Sequence, residues 1–219
     1  MLSDVLLIND LHKSAAASIY EILQADRERK LEKDPEYKYI VAISGESGAG
    51  KSELSHSLGL ILKANNIRAK VIHADNYYSV PPLLRKEWRL AMGLDSIGPN
   101  EYDWELLNKN IVEFKNNMIA RIPCIDIIPD QVDELTTDFQ KINILIVDGL
   151  YAINLEEADL KVFIELTYLE TKMMQLMRGK ESIDEHRTQI LEKEHIGVQS
   201  LRSYANIIIN KSYEVEMVK

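Results

Sequence analysis

The chain contains a single cysteine, Cys124, so no disulfide can close within it, and no Cys/His cluster appears at zinc-ligand spacing. A reducing, cytoplasmic setting suits such a sequence. Positive charge is scarce: 26 Lys and Arg stand against 35 Asp and Glu, a formal net charge of −9. That balance argues against a surface that coats nucleic acid and leaves room only for a local basic cleft. Apolar runs are short, none approaching the ~20 residues that span a bilayer. The opening stretch Met1 to Asp10 lacks a basic region and a small-residue cleavage site, so neither a membrane partner nor a targeting segment is expected. Internal repeats and low-complexity tracts are missing as well. What remains is a chain of 219 residues, 46% hydrophobic, enough for one α/β domain with a sizeable core.

The most informative stretch is Gly45-Glu46-Ser47-Gly48-Ala49-Gly50-Lys51-Ser52, which matches the pattern G-x-x-x-x-G-K-[ST] without a mismatch. Its glycines let the backbone curl until several N–H groups converge on an anionic oxygen cluster. The following helix adds the positive end of its dipole. In such a loop Lys51 would reach the β- and γ-phosphates of a nucleotide and Ser52 would ligate Mg²⁺. The flanks supply the required context. Tyr39-Ile40-Val41-Ala42-Ile43-Ser44 reads as a central parallel strand, and Leu54, Leu58, Leu60, Ile61 and Leu62 as the apolar part of a helix ended by Asn65-Asn66.

Elsewhere, residues from about 10 to 35 read as a helix with Ala15, Ala16, Ile19, Ile22 and Leu23 as its buried stripe. Ala69 to His73 reads as a second strand, Pro81-Pro82 as a break, and residues 84–98 as a polar connection with a short helical stretch. Helical spacing runs from Trp104 to Ile119. Ile122 to Ile128, the turn Pro129-Asp130 and a return through Val132 to Thr137 predict a β-hairpin. Further strands are expected at Ile142–Val147, Lys161–Leu166 and Ala205–Ile209, with a helix from about Glu170 to Arg178 and a long one ending near Arg202. Strands alternating with helices imply a parallel sheet covered on both faces.

In sheets of this kind ligands bind beyond the carboxyl ends of the strands. Asp148 stands there, after an aliphatic strand and before Gly149, as a carboxylate that would hold Mg²⁺ directly or through water. Asp75 ends the second strand. It is either a base facing the γ-phosphate or a turn cap, and spacing alone leaves both readings open.

Together these pieces resemble the uridine kinase and phosphoribulokinase family of P-loop kinases across most of residues 39–210. Asp75-Asn76-Tyr77-Tyr78 resembles the family's Asp-x-Phe/Tyr-Tyr segment, and Pro99 to Trp104 its Pro-x-x-Phe-Asp stretch. Ile122-Pro123-Cys124-Ile125-Asp126 is similar to its Pro-x-Tyr-Asp hairpin, and Val198 with Ala205-Asn206-Ile207-Ile208 to its closing segment. The resemblance implies a three-layer P-loop fold with a small hairpin and a helical lid at about 178–187, preceded by an N-terminal helical extension over 1–38. It implies ATP and Mg²⁺, and phosphoryl transfer to the hydroxyl of a small-molecule acceptor such as a nucleoside, a sugar phosphate or a pantothenate-like acid. Non-catalytic nucleotide binding and a homo-oligomer are alternatives it leaves open. Asp75 would be the base, Tyr78 and Asp103 would line the acceptor pocket, and Arg178 and Arg187 would reach over the phosphates from the lid. Each also has a structural reading: packing for Tyr78, a helix cap for Asp103, a solvated helix face for the arginines, and likewise for Arg85, Lys86, Arg89, His186 and His195. There are departures. Ile125 replaces the family's Tyr, and Ile127-Ile128-Pro129-Asp130 lacks the His and Arg that help hold a nucleobase. The acidic residue after the apolar strand is Asp148, where uridine kinases usually have Glu.

Overall fold

A computed structural model of the chain describes residues 5–126, 128–129, 131–172 and 185–219. At its centre lies β1 (Tyr39–Gly45), buried at every position. It runs parallel between β5 (Ile144–Asp148) and β6 (Leu160–Ile164). A strand so placed has both faces covered, which is why it reads as an unbroken apolar run. β2 (Ala69–His73) adds beyond β5, and β7 (Ile207–Ile209) beyond β6. β8 (Val215–Met217) pairs antiparallel with β7 and completes the order β2-β5-β1-β6-β7-β8. The parallel sheet is as expected; β8 was not, because three residues carry too little alternation to be seen.

Helices cover both faces. Tyr39, Val41 and Ile43 of β1 pack with α1 (Asp10–Leu31) and α2 (Lys51–Ala64). Ile40 and Ala42 face the other way, toward α4 (Trp104–Lys115), the hairpin of β3 (Ile119–Asp126) and β4 (Gln131–Asp138), and Val198 of α5 (Glu185–Gln199). The expected stripe of α1 is buried at Ala15, Ala16, Ile19 and Leu23 and half-buried at Ile22. No helix among the described residues is long and apolar enough to cross a membrane.

Several boundaries differ from the sequence reading, two of them with a clear local cause. α4 stops at Lys115 because Asn117 turns the chain with φ 58°, so Ile119 begins β3 and does not extend the helix. Pro82, read as a break, sits in the first turn of α3 (Pro82–Met92), where its missing N–H costs nothing. Of the lid, residues up to 184 lie outside the described residues, and so does Arg178.

The N-terminal helix is fastened to the sheet through Asp159. Its Oδ1 accepts from Lys30 and, at 2.6 Å, from the Tyr37 hydroxyl, while its Oδ2 accepts from the backbone N–H of Ile40 at 2.7 Å. Asp159→Ala strands three donors at once and should lower unfolding free energy by about 2–3 kcal/mol. Urea melts of the two proteins measure this; a loss under about 0.5 kcal/mol, the range of an ordinary surface change, contradicts it.

Candidate active site

The turn after β1 is held open by backbone conformation. Gly48 and Gly50 adopt φ of 79° and 91°, a region that L side chains rarely enter. Ala49 N–H closes back on the Glu46 carbonyl at 3.1 Å. Gly50 is the N-cap of α2, and no side chain caps that helix. The first-turn amides and the helix dipole therefore face whatever occupies the loop. The Lys51 ammonium donates to the Glu46 carbonyl at 2.9 Å, so the cation stays over the loop.

Glu46 is itself a structural node. Its buried carboxylate, 2% exposed, accepts from Tyr168 N–H at 2.8 Å on Oε2 and from Gln199 at 2.5 Å on Oε1. His195 Nδ1 lies 2.7 Å from the same Oε1. His195 is thus not the merely exposed helix residue expected from its charged neighbours; it ties α5 to the phosphate loop. Thr171 adds a hydroxyl bond to the Ser47 carbonyl at 2.9 Å.

Parallel register brings the strand-end carboxylates to the same edge. Asp148 pairs in register with Ile43 of β1 and His73 of β2. Its Oδ1 lies 2.7 Å from His73 Nδ1, and its buried Oδ2 has no hydrogen-bond partner. Burial alone would push this carboxyl up, but His73, Ser55 and Lys51 outweigh it and hold the group below its ordinary range. An ionised buried oxygen without a donor suits a hard divalent cation such as Mg²⁺. Ser52 stands in the first turn of α2.

Asp75 follows β2 in a short 3₁₀ turn. Gly149 permits its placement, since a Cβ there would lie 2.6 Å from the Cβ of Ala74. Segments 75–79 and 99–103 then zip together: Ser79 N–H meets the Glu101 carbonyl at 2.8 Å and Asp103 N–H the Tyr77 carbonyl at 2.6 Å. This brings Asp75, Tyr78 and Asp103 onto one platform. The hydroxyl of buried Tyr102 donates to Asp75 Oδ1 at 2.9 Å. Tyr78 packs edge-on against Tyr102 with centroids 4.5 Å apart. Asp103 caps α4 through Leu106 N–H at 2.9 Å, as its structural reading required. Ile125 is buried and its N–H meets the Asn76 side chain at 3.3 Å.

The arginines behave unlike a solvated face. Arg89, 6% exposed, forms a bidentate pair with Glu101 at 2.7 and 3.0 Å. It also lies 3.5 Å from Glu194 of α5, which in turn meets Arg187 at 3.5 Å. Burial would lower the Arg89 pKa, but the two carboxylates raise it. Arg187, expected over the phosphates, is thus linked through Glu194 to a largely buried ionic chain that reaches the platform. Arg85 lies flat on Tyr78, 3.7 Å from the ring centroid.

Sequence reasoning missed His73, Tyr102, Glu194, His195 and Gln199 as parts of this site. Two had a local signal: Tyr102 lies inside the quoted stretch Pro99 to Trp104, and His73 ends the second strand two residues before Asp75. The three on α5 approach from over a hundred residues away in sequence and had none.

The chain matches the family model described as Phosphoribulokinase / Uridine kinase family over residues 40–205. It is 27% identical over 143 residues to a uridine kinase of Ureaplasma parvum, covering 64% of this chain and 68% of that one. It is 26% identical over 182 residues to a uridine kinase of Macrococcus caseolyticus, covering 78% and 86%. Among solved structures it superposes on phosphoribulokinase from Rhodobacter spheroides with TM-score 0.61 at 16% identity, over 80% of this chain and 70% of that one. On D-glycerate 3-kinase from Cryptococcus neoformans the TM-score is 0.64 at 12% identity, over 93% and 99%. These likenesses support the fold.

Burial raises the pKa of Tyr39, Tyr77, Tyr78, Tyr102 and Tyr151, and nearby carboxylates reinforce it. A raised folded value means their neutral form contributes stability that is intact below the ordinary tyrosine value of about 10 and is lost as pH rises beyond it. Alkaline titration should therefore show tyrosinate absorbance from these residues growing together with loss of circular dichroism. Full ionisation of all ten tyrosines in a still-folded protein contradicts it.

Proposed function

We propose, from the premise that the chain belongs to the phosphoribulokinase / uridine kinase family, that it is an ATP-dependent kinase of a small hydroxylated molecule. One juxtaposition carries this reading: a phosphate loop whose amides are open at the N-terminus of α2, edge to edge with Asp75 held by Tyr102 and Asp148 held by His73. A pure nucleotide switch has no use for Asp75 on a separate aromatic platform.

In this reading the loop amides from Gly48 to Ser52 bind the β- and γ-phosphates, and Lys51 leaves the Glu46 carbonyl to meet them. Ser52 and Asp148 would hold Mg²⁺, which would supply neutralisation of phosphate charge. Asp75 accepts the proton of the acceptor hydroxyl through its oxygen not occupied by Tyr102. The acceptor oxygen forms its bond to the γ-phosphorus as the β–γ bridging bond breaks, and ADP carries away the electron pair. Tyr78 and Asp103 border the acceptor. Arg178 supplies charge from the lid; Arg187 acts through Glu194, steadying α5. Positioning and charge neutralisation provide most of the acceleration.

The uridine kinases among the relatives make a nucleoside the first acceptor to try. A specific observation favours a second class. Arg85 lies on the Tyr78 face and, among the described residues, donates only to the Val80 carbonyl. An acidic acceptor, a sugar phosphate or a hydroxy acid, would give that guanidinium a charged partner.

ADP release should depend on one member of a panel of nucleosides, sugar phosphates and hydroxy acids. Nucleotide binding with no acceptor-dependent turnover across the panel rejects the kinase reading. Lys51→Ala should cut turnover by about three orders of magnitude. Asp75→Asn should cut it by about 10²–10⁴-fold with ATP affinity near that of the parent; loss of ATP binding in Asp75→Asn removes it from the role of base.

A further inference from the structure

Two stretches outside the family-matched residues 40–205 converge on the phosphate loop. His12 is buried in the first turn of α1. Its Nδ1 accepts from the Asn9 backbone N–H at 3.1 Å, which assigns the ring proton to Nε2. Nε2 lies against Gly50, 2.7 Å from where a Cβ would stand. Tyr213 reaches the same glycine from the far end of the chain. Its hydroxyl oxygen would lie 2.5 Å from that Cβ, and it donates to the carbonyls of Ala49 at 3.2 Å and Gly50 at 3.4 Å. The two rings meet edge-on, centroids 5.0 Å apart. Leu7 N–H adds a bond of 3.2 Å to Glu53 in the first turn of α2.

An independent observation marks Tyr213. It sits at φ 65°, a conformation that a bulky side chain rarely adopts. Among the described residues, the other non-glycine residues at positive φ are Asn66 and Asn117, beside helix ends, where asparagine tolerates it. Such an outlier persists where the surroundings over-determine it, and it clusters at functional elements.

The physical consequence concerns peptide orientation. Amides attract a polyphosphate only while the carbonyls of the same peptides point away. A peptide that flips presents its oxygen to the anion and turns attraction into repulsion. The Gly50 carbonyl is already held by Leu54 N–H at 2.9 Å in the first turn of α2; a hydroxyl on the Ala49 carbonyl, with an imidazole closing the space behind Gly50, opposes the flip of the Ala49–Gly50 peptide. We propose that His12 and Tyr213 are positioning residues for the phosphate loop, so that both ends of the chain belong to the nucleotide site. The inference rests on the reading of this loop as an ATP site.

The test is calorimetric titration with MgATP of the parent chain, Tyr213→Phe and His12→Ala, with thermal melts of the same samples. Tyr213→Phe keeps the ring, removes one hydroxyl and should melt within about 2 °C of the parent. It should bind MgATP about five-fold more weakly, and in turnover assays should raise KM for ATP while kcat changes little. His12→Ala should weaken binding at least as much. If His12→Ala does not fold, Tyr213→Phe decides alone. Parent-like affinity in Tyr213→Phe reduces the pair to packing and overturns the proposal, whether or not the melt shifts. No heat with the parent chain itself is a different result, which overturns the ATP site and the brace together.

Discussion

Binding an anion with main-chain amides demands rigidity on both sides of the binding loop. Such amides have no rotamers with which to search for a ligand, and each carries a carbonyl of opposite sign on its other face. The turn between β1 and α2 works only if the strand before it and the helix after it are fixed. β1 is fixed because it is the central strand, parallel to β5 and β6 and buried along its whole length. α2 is fixed because Leu54, Leu58 and Leu62 are fully buried beneath α1 and against the sheet. The apolar core is therefore part of the anion site: it converts two positive-φ glycines from entropic liabilities into a shaped cradle.

Around that cradle, buried charge is satisfied by partners from distant elements. Glu46 takes Tyr168, His195 and Gln199. Arg89 takes Glu101 and Glu194. Glu194 and His195 are consecutive on α5, yet one reaches Arg89 of α3 and the other Glu46 of the phosphate loop. A buried ion pair contributes little net stability when whole and costs much when one partner is lost. Its effect here is to fix register: α5 cannot shift along its axis without breaking contacts to both halves of the site. The N-terminal helix gains the same kind of fixation from Asp159, which binds three donors along the stretch 30–40 that joins α1 to β1.

What the sequence disclosed follows the range of the forces involved. The phosphate loop, its flanking strand and helix, and the hairpin are local patterns, and the structure has each of them where expected. Strand-end carboxylates were legible because a parallel sheet places all its carboxyl ends at one edge, which puts Asp75 and Asp148 there; the base role expected of Asp75 came from the family resemblance. Asn116-Asn117 defeated the helical spacing of α4 because a left-handed turn overrides apolar periodicity. Arg89 and His195 looked like solvated helix residues, since spacing reports nothing about an ionic partner contributed by another element. Tyr213 had no signal: its importance lies in a backbone angle and in a contact across most of the chain.

On the proposed kinase reading, the two halves of the site differ in how freely they can change. The donor half uses peptide groups, so most of its side chains matter only by being small or absent, and its shape is set by the core. The acceptor half uses side chains on a platform zipped from two short segments, 75–79 and 99–103, and bordered by α3. Aromatic rings at Tyr78, Tyr102 and Tyr151 stack edge-on there, with Arg85 laid over the outermost. Replacing a group on this platform alters what the acceptor meets without disturbing β1 or the loop. A fold divided this way can hold phosphoryl-transfer chemistry constant while its acceptor varies.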